Sequence, residues 1–170
     1  MNKIKVFLTL TGYQLTWLAC VFGEHQFNQS WLGIYVGCLY LALYFYFSND
    51  KINFIRISLL IAIPGYIFDS LMAYLLLYQF NTTLILGTIP AWMIILWLSF
   101  STLFDEILIF FKQYKLIAIL LSGILGPITY YVGEPIGILS ISNVLTFFIV
   151  MTSFWVLLMI YYLEVILRKY

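Results

Sequence analysis

The chain has 170 residues, of which 64% are hydrophobic, 20% aromatic and only 9% charged, and its mean hydropathy is +1.04. A soluble domain of this size cannot cover so much apolar surface, since such domains run at roughly 45–50% apolar and about 25% charged. Eight Lys+Arg against seven Asp+Glu leave a formal charge of +1, which excludes a disordered polyelectrolyte and a nucleic-acid-binding surface.

The composition predicts an all-α, polytopic membrane protein with one transmembrane domain over 1–170. A span needs about 20 apolar residues, and six runs qualify: 5–23, 31–48, 54–79, 84–111, 115–132 and 141–166. The breaks carry loop chemistry: Gly23-Glu24-His25, Ser48-Asn49-Asp50-Lys51, Asn81-Thr82-Thr83, Lys112-Gln113 and Gly133-Glu134-Pro135. Six spans place both termini on the same side as loops 2–3 and 4–5. That side collects all eight basic residues, Lys3, Lys5, Lys51, Arg56, Lys112, Lys115, Arg168 and Lys169. The positive-inside rule then makes both termini cytoplasmic.

In the first span, Lys3 and Lys5 ahead of an apolar run resemble a secretory signal, and Trp17-Leu18-Ala19-Cys20 resembles a lipoprotein cleavage box. Trp17 fits that box poorly, so the span is retained. Gln14 falls near mid-membrane, where its amide can bridge to a backbone carbonyl or to Asp69. Gly12, Thr16, Ala19 and Gly23, then Gly33 and Gly37 in span 2, favour close helix packing. Glu24 and His25 form the first outer loop. Cys20 and Cys38 lie in apolar runs and read as free thiols, and no spacing suggests a metal site. Asn28-Gln29-Ser30 and Asn81-Thr82-Thr83 match the glycosylation acceptor pattern but sit too close to the bilayer to count for much.

Span 3 carries Asp69, past the midplane toward the outside. Intramembrane carboxylates are costly and mark function or a buried hydrogen bond. Its face reads Ser58, Ala62, Gly65, Asp69, Ala73, a stripe of small residues. In span 4, Ser99, Thr102, Asp105 and Glu106 form a polar streak read as a solvated helix end, with Lys112 and Lys115 near enough to compensate the acids. In span 5, Pro127 removes an N–H and is expected to disrupt the helix, and Gly133 and Gly137 then deliver Glu134 to the outer mouth. Tyr44, Tyr46, Tyr114, Tyr161 and Tyr162 at one edge, and Trp31, Tyr78, Tyr130 and Tyr131 at the other, read as aromatic belts.

The candidate pocket residues are Asp69, Glu134, Gln14, Glu24, His25 and Tyr131. They predict a pocket open outward or sideways, lined by spans 1, 3 and 5. With no basic residue on that side, the field favours neutral or cationic head groups. No residue is assigned a catalytic role, no cofactor is indicated, and the expected partners are membrane lipids and other membrane proteins.

Gly12-Tyr13-Gln14-Leu15-Thr16-Trp17, Trp31-Leu32-Gly33, Phe68-Asp69-Ser70-Leu71 and Gly126-Pro127 with Tyr131 and Gly133 occur in an order that resembles the bacterial inner-membrane family of domain of unknown function 2878. The resemblance spans nearly the whole chain. It implies a Gram-negative inner-membrane protein, often encoded near genes for methyltransferase-like, fatty-acid-modifying enzymes, and it implies neither an activity nor catalytic residues. In architecture alone, six short-looped spans look like the substrate-binding subunits of energy-coupling-factor transporters and the rod-shape protein of similar size. Two function classes follow. One is a non-enzymatic lipid- or small-molecule-binding membrane subunit or scaffold. The other is a membrane-embedded enzyme acting on lipids or fatty acyl chains through Asp69 and Glu134. The residues favour the first, because no nucleophile, metal or cofactor motif accompanies the acids.

Overall fold

Helices apolar on every side belong in lipid or in a buried bundle. A computed structural model describes residues 3–27 and 29–167 of this chain, and among them the apolar runs form six α-helices. These are α1 (Lys3–Phe27), α2 (Trp31–Phe47), α3 (Lys51–Tyr74), α4 (Trp92–Glu106), α5 (Lys115–Tyr131) and α6 (Val144–Tyr161). Asn28 of the first acceptor triplet, and Arg168 and Lys169 of the basic set, lie outside the described residues. Three stretches are long and apolar enough to cross a membrane: Lys5–Phe27, Lys51–Tyr74 and Val144–Ile166, the last including a π turn that continues α6. The apolar helices α2 and α5 have 17 residues each, a rise of about 26 Å.

Two apolar runs are more than helix. The run 54–79 contains the end of α3 at Tyr74, after which the chain turns into a strand, β1 (Tyr78–Phe80). The turn is a Schellman cap: Leu77 N–H donates to Met72 O at 3.0 Å and Leu76 N–H to Ala73 O at 3.1 Å, with Leu76 at φ 59°. Glycine usually fills that left-handed position, so a leucine there hides the helix end from a reading of the sequence. The run 84–111 opens with a hairpin, β2 (Ile85–Leu86) and β3 (Ile89–Pro90), and closes in a 3-10 turn, Leu108–Gln113. Gly87 at φ 71° is the first central residue of the hairpin turn, the place where a two-residue turn of the II′ kind requires glycine. The run 141–166 begins in a fourth strand, β4 (Leu139–Ile141), ahead of α6. Pro127 leaves α5 intact to Tyr131, and Pro64 lies inside α3 in the same way.

The chain divides into two compact units, Met1–Ser70 with Thr82–Leu108, and Leu71–Asn81 with Ile109–Tyr170. In the first, α1, α2 and α4 pack on one another through glycines. A β-carbon on Gly12 would lie 2.1 Å from the Tyr40 ring, on Gly33 2.6 Å from the Cys20 backbone, and on Gly37 2.1 Å from Ile95. Thr9 and Thr16 donate their hydroxyls to the carbonyls four residues back, at 2.8 and 2.9 Å. They can therefore be fully buried without an unsatisfied donor.

In the second unit, α5 and α6 meet where a β-carbon on Gly126 would lie 2.3 Å from the Trp155 ring. Thr152 Oγ1 donates to Gly123 O at 3.0 Å across the same contact. β1 and β4 pair antiparallel, Tyr78 opposite Ile141 and Phe80 opposite Leu139. Tyr78, expected in an aromatic belt, is instead fully buried among Phe80, Tyr130 and Phe147.

Candidate functional site

The chemistry of the first unit gathers on α4. Counting from its N-terminus, Trp92, Trp97, Ser101, Thr102, Asp105 and Glu106 each bond a residue of another helix of the unit. Asp69 is fully buried, and Trp97 Nε1–H donates to its Oδ2 at 2.6 Å. The indole reaches it across Gly65, where a β-carbon would stand 2.4 Å from the ring. The small-residue stripe of α3 is what makes this possible: Ser58, Ala62, Gly65 and Asp69 are all buried. Tyr66 and Ser70, to either side of Asp69 in the chain, bond the β2–β3 hairpin instead.

Glu24 and His25, expected in a loop, lie instead in the last turn of α1, which runs to Phe27, and Glu24 is a hub there. Its carboxylate accepts from Thr82 Oγ1 (2.6 and 2.7 Å), Thr83 N–H (2.6 Å), Ser30 Oγ (3.0 Å) and Trp92 Nε1–H (2.7 Å). Both ends of the hairpin are thereby fixed to one side chain. His25, next to it, is exposed.

At the opposite end of the unit, Lys5 Nζ stands 2.6 Å from Glu106 and 3.7 Å from Asp105. Tyr44 OH donates to Asp105 at 2.7 Å and Asn53 Nδ2 at 3.1 Å. The side chains of Lys5, Asp105 and Glu106 are only 13%, 6% and 12% exposed. The expectation of a solvated helix end compensated by Lys112 and Lys115 is therefore corrected: the acids are largely buried, and Lys5, 100 residues away in the chain, balances them. Lys115 pairs with Glu164 at 2.5 Å. Local charge spacing could not show this, because the partner comes from α1. Tyr44, read as a belt residue, is likewise buried at this cluster.

Of the six candidate residues, Asp69, Glu24, His25 and Gln14 belong to the first unit, and Glu134 and Tyr131 to the second. Gln14 is exposed on α1, and Asp69 accepts from Trp97 Nε1–H. Glu134 Oε1 accepts the N–H of Ile141 at 3.0 Å and so fastens β4. Tyr131 stacks obliquely on Phe148, ring centroids 5.2 Å apart. An open depression of about 410 Å³ is lined by Ile109, Phe110, Lys112 and Gln113, and holds none of the six. Among the described residues, no group of three or more His, Cys, Asp or Glu is arranged to hold a metal ion. The hubs that the sequence left out, Trp92 and Trp97, carry a readable signal: both lie on α4, five residues apart, in the helix that also bears the polar streak.

Apolar helices of spanning length, joined internally by hydrogen bonds between helices, define a helical protein of membrane type. The chain belongs to the family described as protein of unknown function DUF2878, which it matches over residues 6–161. Among curated proteins and among solved structures, none matches this chain.

Proposed function

We propose that the protein is a non-enzymatic subunit of the bacterial inner membrane, with six spans and cytoplasmic termini, that binds lipid or a small molecule or scaffolds a membrane complex. The observation that carries this is the use to which its acids are put. Asp69, Glu24, Asp105 and Glu106 each accept bonds or ion pairs from another helix or loop, which is the work of posts in a frame. A catalytic carboxylate needs its oxygens open to a substrate proton. Large apolar side chains on the outside, among them Trp31, Tyr35, Leu39 and Leu43 of α2, are 41–69% exposed and provide the surface for acyl chains or partner helices. Of the candidate residues in the first unit, His25 and Gln14 are exposed and are the ligand contacts we assign, whereas Asp69 and Glu24 hold the frame behind them.

Extraction of the full chain with its native lipid in polymer nanodiscs, followed by mass spectrometry, tests this. A lipid, small molecule or membrane protein held at fixed stoichiometry is the expected result. A protein that retains none of these yet turns over acyl lipid, and loses that activity in Asp69→Asn or Glu134→Gln, would establish the enzymatic reading instead.

A further inference from the structure

We propose that the hairpin between Leu84 and Ala91 is embedded in the hydrocarbon of the leaflet at the Glu24 end, presenting Ile85 and Leu86 to lipid acyl chains, and is not an aqueous loop. This rests on the membrane reading above.

An internal ruler fixes its depth. Lys5 of α1 and Asn53 of α3 both contact Asp105, so that level is a common floor for the two helices. Glu24 is 19 residues above Lys5, about 29 Å along α1 at 1.5 Å per residue. Tyr66 and Ser70 are 13 and 17 residues above Asn53, about 20 and 26 Å along α3. The roots of the hairpin are held at the Glu24 level by Thr83 N–H and Trp92 Nε1–H. Its tip is held at the Tyr66–Ser70 level: Tyr66 OH donates to Leu86 O at 3.0 Å, and Thr88 Oγ1 donates to Ser70 O at 2.9 Å. The hairpin thus points back down into a slab about 30 Å thick. Centring α3 on the bilayer, without the floor, also leaves residues 66 and 70 inside it.

The bonding satisfies the base and one tip carbonyl of the hairpin. Non-helical backbone survives in a membrane only where protein satisfies its polar groups. Here Leu86 faces Ile89 in the ladder, Ala91 N–H returns to Leu84 O at 3.0 Å, and Leu86 O takes the tyrosine hydroxyl, while Ile85 and Pro90 are the intervening pair whose backbone groups point away from each other. Pro90 has no N–H to satisfy. Ile89 and Pro90 are buried, whereas Ile85 and Leu86 are 56% and 49% exposed. Leu59, Ile63 and Ile67 of α3 are exposed as well.

Cysteine labelling in nanodiscs, where both bilayer faces are open to solvent, decides it. Leu86→Cys and Ile85→Cys are compared with His25→Cys, using a charged maleimide that reacts only with a hydrated, ionisable thiol. The native Cys38, exposed at the middle of α2, is the internal standard for the membrane itself. The expected result is reaction at residues 85 and 86 at least about ten-fold slower than at 25, because a thiol in hydrocarbon does not ionise, with full labelling of every variant in SDS. Quenching of a bimane at residue 86 by lipids spin-labelled high on the acyl chain completes the expected pattern. If residue 86 labels as fast as residue 25 while Cys38 stays protected, the hairpin is aqueous and the proposal fails alone. If Cys38 labels rapidly as well, the membrane reading falls with it. Should Leu86→Cys aggregate, Ile85→Cys probes the same strand and decides between the same outcomes.

Discussion

Asp69 and Trp97 show how one small residue sets the position of a buried acid. Gly65 leaves the space that the indole fills, and the indole then supplies the donor that makes a carboxylate tolerable in an apolar frame. Gly65→Ala is expected to push Trp97 off Asp69 and to cost about 1–3 kcal/mol by overpacking alone. Thermal unfolding in detergent, followed by tryptophan emission, measures it, and an unchanged midpoint would contradict the contact. Asp69→Asn keeps an acceptor for the indole, so it should be milder than Asp69→Leu, which removes the acceptor. The Lys5 cluster follows the same logic with full charges. Replacing Lys5 by Met leaves Asp105 and Glu106 adjacent and without their balancing ammonium, a loss of about 3 kcal/mol for a buried pair broken on one side. Adding Glu106→Gln removes one of the two like charges and should restore part of that loss. A double-mutant cycle showing additive effects would mean that the 2.6 Å ion pair contributes nothing.

At the scale of elements, the end of α3 is set by a backbone conformation that its residue type disfavours. Leu76 is 58% exposed and stands at φ 59°, so its side chain has little packing to lose. Leu76→Gly should relieve the left-handed penalty and raise stability by up to about 1 kcal/mol. A lowered unfolding midpoint would show that the turn is held otherwise. Glu24 ties α1, the start of α2 and both roots of the hairpin together, so Glu24→Ala should release the hairpin while leaving the helices formed. Faster backbone hydrogen exchange confined to residues 82–92 is the expected signature, with no change in helical circular dichroism.

For the whole molecule, topology is the property that charge placement addresses. Reporter fusions at either terminus are expected to read cytoplasmic, as the one-sided distribution of Lys and Arg requires. Opposite signals at the two ends would remove the six-span arrangement, and periplasmic signals at both would reverse its orientation.

A mean hydropathy of +1.04 by itself determined that this chain is of membrane type, and apolar runs of about 20 residues made it mostly helical. The ordered motifs from Gly12 to Gly133 carried the family. The small-residue face of α3 was legible too, since Ser58, Ala62, Gly65 and Asp69 recur at helical spacing. Only the tertiary structure decided which side chains meet. Asp69 finds an indole 28 residues away, Asp105 and Glu106 find Lys5 across the length of the unit, and Glu24 reaches forward to Thr82 and Trp92. The hairpin at 85–90 was missed because its residues are as apolar as those of a span, and hydropathy cannot distinguish an apolar strand from an apolar helix. Gly87 and Pro90 were the local signs of a turn. Their meaning came from Tyr66 and Ser70, distant in sequence, which bond Leu86 O and the Thr88 hydroxyl and hold the hairpin against α3.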